Sequence, residues 1–338
     1  MDLVQSCLIG GAVGDALGEP IEFLSLARIR ERFGPTGITG PVDPAELHAS
    51  DDTQMTLFTA EGLVLAASQS TPAAPTASLQ VRHVHDAYQR WLRTQLQQSS
   101  FIDDPDNERR IFREADGWLL DRPELHVCRE PGNTCMAGLR ADRPGSMDAP
   151  LNDGAGCGGV MRVAPVGLVA SEDPFELGCA TAALTHGHPW AYLPAGMLAM
   201  IVAALVAGTA LDDALDQAIE RTREHAGHQG VVGLIERARA TARIATPTPE
   251  RVESLGGGWK GHDALAIGVY CVLATGSWTD AVLLAANHGG DCDSTASIAG
   301  SLAAIIYGGD EIPTDWIQQL DLREAVLETA KRLSAIGS

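Results

Sequence analysis

Gly289-Gly290-Asp291-Cys292-Asp293-Ser294-Thr295, followed by the apolar run Ala296 to Tyr307, decides how the rest of the chain is read. The glycines allow a tight turn, and two carboxylates separated by one residue stand where a helix should begin. Asp and Ser both cap helices well, so the stretch fits an over-supplied N-cap. One Asp would serve that purpose, and a second adds repulsion unless a cation lies between the two. Capping and a hard-metal site both fit this stretch taken alone. Ser50-Asp51-Asp52-Thr53 repeats the same chemistry ahead of another apolar-periodic segment, Met55 to Ala67. Together Asp51, Asp52, Asp291 and Asp293 bring four carboxylates to two helix starts, enough for one or two divalent ions. All-oxygen ligation suits Mg2+ or Mn2+ better than Zn2+, which prefers His and Cys. Two capped helices without metal are the other reading.

Composition bounds the rest. The chain has 338 residues, 45% of them hydrophobic and only 5% aromatic. That supports a sizeable core of closely packed helices rather than a sheet. The formal net charge of -20 argues against a nucleic-acid backbone or an anionic membrane as the main partner. The seven cysteines are scattered without a C-x-x-C pair and read as reduced thiols, mostly buried. With no basic signal-peptide start at Met1-Asp2-Leu3, they point to the cytoplasm. Ala191 to Ala210 is the longest apolar stretch, but one Pro and two Gly interrupt it. A buried core helix is expected there, not a membrane span.

In chain order, Val4 to Leu17 reads as a helix ended by Gly18 and Pro20. Asp15 lies inside it, either as a satisfied structural carboxylate or as a ligand. Glu22 follows the break and is free to face a cleft. Arg28 to Leu47 reads as a Gly/Pro-rich loop, and Ser68 to Ser78 as a linker. Gln80 to Gln97 and Asn107 to Leu120 read as helices, with an acidic loop (Asp103, Asp104, Asp106) before the second. His83 and His85 are taken as surface residues. Glu130 precedes a turn in which Asn133 and Thr134 can cap the next helix.

Asn152-Asp153-Gly154-Ala155-Gly156-Cys157-Gly158-Gly159 packs four glycines into six residues. Bared backbone N–H groups for an anion such as a diphosphate, and a plain flexible loop, both fit. It is neither a P-loop nor a dinucleotide fingerprint. His186, after a helix end, can be a partner of that helix dipole. Trp259, in Gly256-Gly257-Gly258-Trp259-Lys260, suits stacking on a base or simple packing. Further helical patterns cover Phe175 to Leu184, Ala191 to Val206, Leu211 to Glu224, Val231 to Ala242, His262 to Leu273, Trp278 to Ala286 and Asp321 to Ser334. With no β alternation and no domain-scale linker, the reading is a single all-α domain over residues 1–338.

Gly14-Asp15-Ala16-Leu17-Gly18 with Glu22, Ser50 to Thr53, Gly156 to Pro165, Thr185-His186, and Gly289 to Gly300 resemble the motifs of the ADP-ribosylglycohydrolases, in order and across nearly the whole chain. The resemblance implies a compact all-α fold with a binuclear Mg2+ or Mn2+ centre at the bottom of an ADP-ribose cleft. Carried over by motif, Ser50, Asp51, Asp52, Asp291, Asp293 and Ser294 are the metal ligands. Glu22, Asp52 and Glu130 are the carboxylates of catalysis, although Glu130 stands where the arginine-type bacterial enzymes have Asp. Asn152, Gly154, Gly156, Cys157 and Gly158 would hold the diphosphate, with Cys157 replacing a common Asn. His186 would sit beside ribose or phosphate, and Trp259 beside adenine.

The chemistry implied is metal-assisted hydrolysis of mono-ADP-ribose from a protein side chain, arginine foremost, with ADP-ribosylated protein and ADP-ribose as partners. Serine linkages, O-acetyl-ADP-ribose, a nucleic-acid adduct, or a non-catalytic ADP-ribose-binding or immunity protein are the alternatives.

Overall fold

The computed structural model describes residues 1–70, 74–96, 117–244 and 246–336, and among them the backbone forms sixteen α-helices and no strand. The first half contains α1 (Leu3–Gly18), α2 (Leu26–Phe33), α3 (Asp51–Ser70), α4 (Ala77–Leu96), α5 (Asn133–Arg140), α6 (Ala164–Gly167) and α7 (Pro174–Ala183). The second half contains α8 (Pro189–Val206), α9 (Leu211–Arg223), α10 (His228–Ile244), α11 (Pro249–Glu253), α12 (Gly261–Ala274), α13 (Trp278–Ala286), α14 (Cys292–Tyr307), α15 (Thr314–Gln319) and α16 (Arg323–Ser334). Among the described residues the extended backbone pairs only as isolated bridges, Leu47 with Leu320 and Gly156 with Lys260.

The centre is the pair α1 and α14, which makes the most extensive helix–helix contact in the molecule. Both helices are apolar almost all round, as helices buried on every side must be. Small residues let their backbones touch. A Cβ on Gly14 would lie 2.2 Å from the Ala296 carbonyl oxygen, and one on Gly10 would lie 2.5 Å from that of Gly300. The Trp278 indole also donates to the Gly300 carbonyl at 3.0 Å, tying α13 to the pair. Around this centre α12 and α13 cover one side of α14, α16 and α3 adjoin α1, and α4 lies along α3. The pair α7 and α8, flanked by α9 and α10, completes a hydrophobic cluster that runs from Cys7 to Leu333.

Most helices lie where periodicity expects them, and the departures have local causes. Arg28 to Leu47 is not loop throughout. Ser25 caps α2 by accepting from the Arg28 N–H, and Leu26 and Ile29 give that short helix a buried face. His83 is buried and bonded to Gln69 across the α3–α4 contact, not at the surface. The N-cap of α5 is Gly132, so Asn133 and Thr134 already belong to the helix. The segment before Trp118, including Asp103, Asp104, Asp106 and most of the expected helix Asn107 to Leu120, lies outside the described residues. Residues 118–121 form a 3₁₀ turn. The helix α8 is long and apolar enough to cross a membrane by composition, and 61% of that stretch is buried inside the protein. All seven cysteines are free thiols.

The glycine contact at the centre sets a test. Gly14→Ala should destabilise the chain by at least about 2 kcal/mol, because neither backbone can retreat from the added methyl. Gly233→Ala, on the exposed face of α10 with nothing within 4 Å, should stabilise by about 0.5–1 kcal/mol. Urea unfolding of both variants reads the difference. Equal effects at the two positions would remove close α1–α14 packing as the organising contact.

Candidate functional site

Asp15 is the hinge of the site. It sits fully buried in α1 and accepts from the Ser50 and Thr53 backbone N–H groups at 3.1 and 3.0 Å, and from the Thr53 hydroxyl. It therefore caps α3 from another helix, satisfying amide donors that a local side chain normally takes. Of the two readings open from sequence, the structural one describes its contacts. Ser50 Oγ in turn accepts from the Asp52 N–H at 3.2 Å. These bonds fix Asp51 and Asp52 in the first turn of α3.

The opposing pair comes from α14. Asp291 is its N-cap, accepting from the Ser294 N–H, which the Asp293 carboxylate also accepts at 2.9 Å. The Asp291 N–H donates to the Gly257 carbonyl at 2.8 Å. One oxygen each from Glu22, Asp291 and Asp293 lies within 4.8 Å of the others. Asp51 accepts from the Gly132 N–H at 3.1 Å, and Asp291 Oδ2 from the Cys157 thiol at 2.9 Å. Asp52 Oδ2 is buried and has no partner.

Four of these carboxylates are 2–5% exposed, and among the described residues none forms an ion pair with Arg, Lys or His. Arg129, which reaches the Ala49 carbonyl next to Ser50, is committed to Asp321. Burial first, then charge repulsion from Asp293, pushes Glu22 up to about 10. Burial raises Asp51 to about 8, with the Gly132 hydrogen bond opposing and Asp293 adding to the rise. Burial and Asp293 also push Asp52 and Asp291 well above the ordinary carboxylate range. Such a group of oxygens suits a hard divalent cation. Two oxygens on one Mg2+ are separated by about 3 to 4 Å, so the observed spacing needs only slight contraction. The orphaned Asp52 Oδ2 supplies a further unused acceptor.

These carboxylates floor a cleft of about 660 Å3. One wall carries Gly156, Cys157, Gly158, Met161 and His186, another carries Cys128 and the segment Glu130 to Cys135, and Phe23 and Trp259 stand at the mouth. Glu22, Asp51, Asp52, Asp291, Asp293 and Ser294 all line it together with Glu130, His186 and Trp259. Ser50, Asn152 and Gly154 do not. Asn152 is spent on structure: its amide donates to the Thr185 carbonyl, and its oxygen accepts from Gly154 and Gly187. The Cys157 N–H is likewise taken, by the Trp259 carbonyl at 3.1 Å. The glycine loop is thus anchored to the segment 259–261 and presents only its second half to the cleft.

Phe23 and Cys128 line the cleft without having been singled out in the sequence. Phe23 is 63% exposed, has φ +65°, and stacks on Trp259 with ring centroids 5.2 Å apart. Its signal was an apolar residue directly after the Pro20-Ile21-Glu22 break. Glu130 is the other non-glycine residue with positive φ among the described residues, at +52°. Both strained positions face the cleft, where such backbone strain is concentrated in proteins generally.

The raised carboxylates fix the sign of a pH effect. A group whose folded value exceeds its unfolded one stabilises the fold below the ordinary value near 4, and loses that contribution as pH rises through the folded value. For Asp51 and Glu22 the losses accumulate from about pH 4 upward and are complete near pH 8 and pH 10. These groups should therefore lower the metal-free thermal midpoint from about pH 6 to about pH 9, and Mg2+ should restore more at the upper end, where fewer protons compete. Asp293→Asn, which removes the repeated source of repulsion, should raise the metal-free midpoint by about 2–4 °C and abolish most of the Mg2+ effect. Differential scanning calorimetry with and without EDTA measures both. A variant less stable than the parent without metal would mean that Asp293 is an ordinary structural carboxylate.

Comparison with known proteins agrees with this geometry. A family model described as ADP-ribosylglycohydrolase matches residues 1–337. The ADP-ribosyl-[dinitrogen reductase] glycohydrolase of Rhodospirillum rubrum is 26% identical over 334 residues, covering 95% of this chain and 91% of its own. An ADP-ribosylarginine hydrolase of Serratia proteamaculans is 25% identical over 342 residues, covering 98% and 79%. A solved structure titled ADP-ribosylglycohydrolase-related protein complex has the same fold, with a TM-score of 0.64 at 24% identity over 100% of this chain and 98% of that one. The chain belongs to the ADP-ribosylglycohydrolase family.

Proposed function

We propose that the protein removes mono-ADP-ribose from arginine side chains of modified proteins, using two divalent ions, Mg2+ or Mn2+. The observation that carries this reading is the convergence of unpaired, buried carboxylates with an orphaned Asp52 Oδ2 on the floor of a cleft large enough for an extended ligand. Asp51, Asp52, Asp291 and Asp293 would hold the ions, joined by the Ser294 hydroxyl and, behind the floor, by Ser50. When bound, such ions supply Lewis-acid stabilisation of charge on oxygen and lower the pKa of water.

The remaining roles belong to the chain itself. Glu22 stands beside Asp291 and Asp293 and lines the cleft, where its carboxyl can reach a bound ligand. That suits it to protonate the departing nitrogen as the glycosidic bond breaks. Asp52, with a free oxygen at the floor, is an acceptor for the proton of attacking water. Glu130, which also lines the cleft, offers a carboxylate to a guanidinium. His186 and the Gly156 to Gly158 segment offer the polar wall for the diphosphate. The arginine linkage is favoured by this acidic wall and by the activity named for the Serratia relative.

Release of free ADP-ribose from an arginine-modified protein should require Mg2+ or Mn2+, stop with EDTA, and fall at least about 100-fold in Asp52→Ala and Asp293→Ala. Parallel assays use serine-linked and O-acetyl substrates. Release from one of those alone would move the reading to another linkage. Tight calorimetric binding of ADP-ribose with no release from any substrate would leave a binding protein in its place.

A further inference from the structure

We infer that Arg162 and Thr185 are positioning residues that hold His186 as a neutral imidazole with its proton on Nε2, presenting it to the cleft as a fixed hydrogen-bond donor. The inference rests on the reading that the cleft takes ADP-ribose only for the identity of the acceptor. Arg162 is 1% exposed and, among the described residues, has no carboxylate partner. Its guanidinium lies over the Tyr88 ring at 4.2 Å, and Nη1 approaches Met55 Sδ and Cys135 Sγ. Nη2 donates to Thr185 Oγ1 at 2.8 Å. The same hydroxyl lies 2.8 Å from His186 Nδ1.

Donor and acceptor counting settles the direction of the second bond. A guanidinium has no acceptor, so Thr185 Oγ1 must receive the hydrogen from Arg162. The hydroxyl then has one hydrogen of its own and one acceptor in reach, His186 Nδ1. Were Nδ1 protonated, it would donate into the same oxygen, and the hydroxyl hydrogen of a fully buried Thr185 would have no acceptor. An imidazolium has that same defect and sets a second cation near Arg162. Burial, and then Arg162, accordingly hold His186 down to about 3.

The proton is therefore on Nε2, and Nε2 faces the glycine loop. It lies 3.5 Å and 3.2 Å from where Cβ atoms on Gly156 and Gly158 would be, on the cleft wall. Among the described residues it has no protein acceptor. Diphosphate and ribose oxygens are acceptors of the required kind. A neutral Nε2–H can donate to them but cannot take a proton, which separates His186 from the acid–base carboxylates on the floor.

Two measurements on the full chain test this. Long-range proton–nitrogen NMR of the 15N-labelled protein at pH 7, assigned by loss of the signal in His186→Gln, should give a pyrrole-like Nε2 and a pyridine-like Nδ1. An Nδ1–H tautomer or an imidazolium would overturn the proposal. Calorimetry with ADP-ribose should give a dissociation constant raised about tenfold in Thr185→Val and near the parent value in Thr185→Ser. In the release assay the Val variant should raise KM with kcat changed less than about threefold. Parent-like binding by Thr185→Val would also overturn it. If the parent protein itself bound no ADP-ribose, the assigned acceptor would fall, and the NMR result would still decide the tautomer.

Discussion

Backbone contact between α1 and α14 is the constraint on which the cleft depends. Gly14 meets Ala296 and Gly18 meets the Cys292–Asp293 peptide, so the start of α14 is pressed against the last turns of α1. Asp15, between those two contacts, reaches the other way to cap α3. A single helix thereby sets the distance between the two acidic helix starts. Side chains of ordinary size along α1 would push α14 outward, and Asp291 and Asp293 would no longer face Asp51 and Asp52.

What that geometry brings together is electrostatically unfavourable by itself. Buried carboxylates without cationic partners must stay protonated or take up a cation, because an ionised and unpaired carboxylate in the interior costs several kcal/mol. Arg129, whose guanidinium reaches the Ala49 carbonyl, is bound to Asp321. Arg162, the nearest buried cation, is turned toward Tyr88 and Thr185. Local stability is given up at the floor, and the continuous core around α14 carries it.

The extent to which this was legible in the sequence follows from the range of each interaction. Helices with a long apolar repeat, such as Ala191 to Val206 or Trp278 to Ala286, were found to within a few residues because their signal is local. The two acidic motifs were legible for the same reason, each being a few adjacent residues. The part of Asp15 was not, since its donors lie 35 and 38 residues away. Asn152 misled for the opposite reason. It sits among glycines that do reach the cleft, but it is consumed by bonds to Thr185 and Gly187, which only the fold brings near. The helix α2 is short and ends at Gly34-Pro35, so punctuation outweighed its apolar pattern.

The same fold sorts the cleft by chemistry, and that sorting gives a ligand a direction. Acceptors crowd the floor, from Asp51 and Asp52 to Asp291 and Asp293, and Glu130 adds one on the wall. The His186 wall instead carries a donor held by Thr185, and the two exposed rings of Phe23 and Trp259 close the lip beside Glu22. A molecule with an anionic middle is drawn to the donor wall, while a cationic end is drawn toward the exposed Glu130 carboxylate. An ADP-ribosylated guanidine has this polarity. Under the proposed reading, the diphosphate lies along the glycine loop and the arginine end toward Glu130. The bond between ribose and nitrogen then falls above Glu22 and Asp52, the carboxylates suited to move its protons.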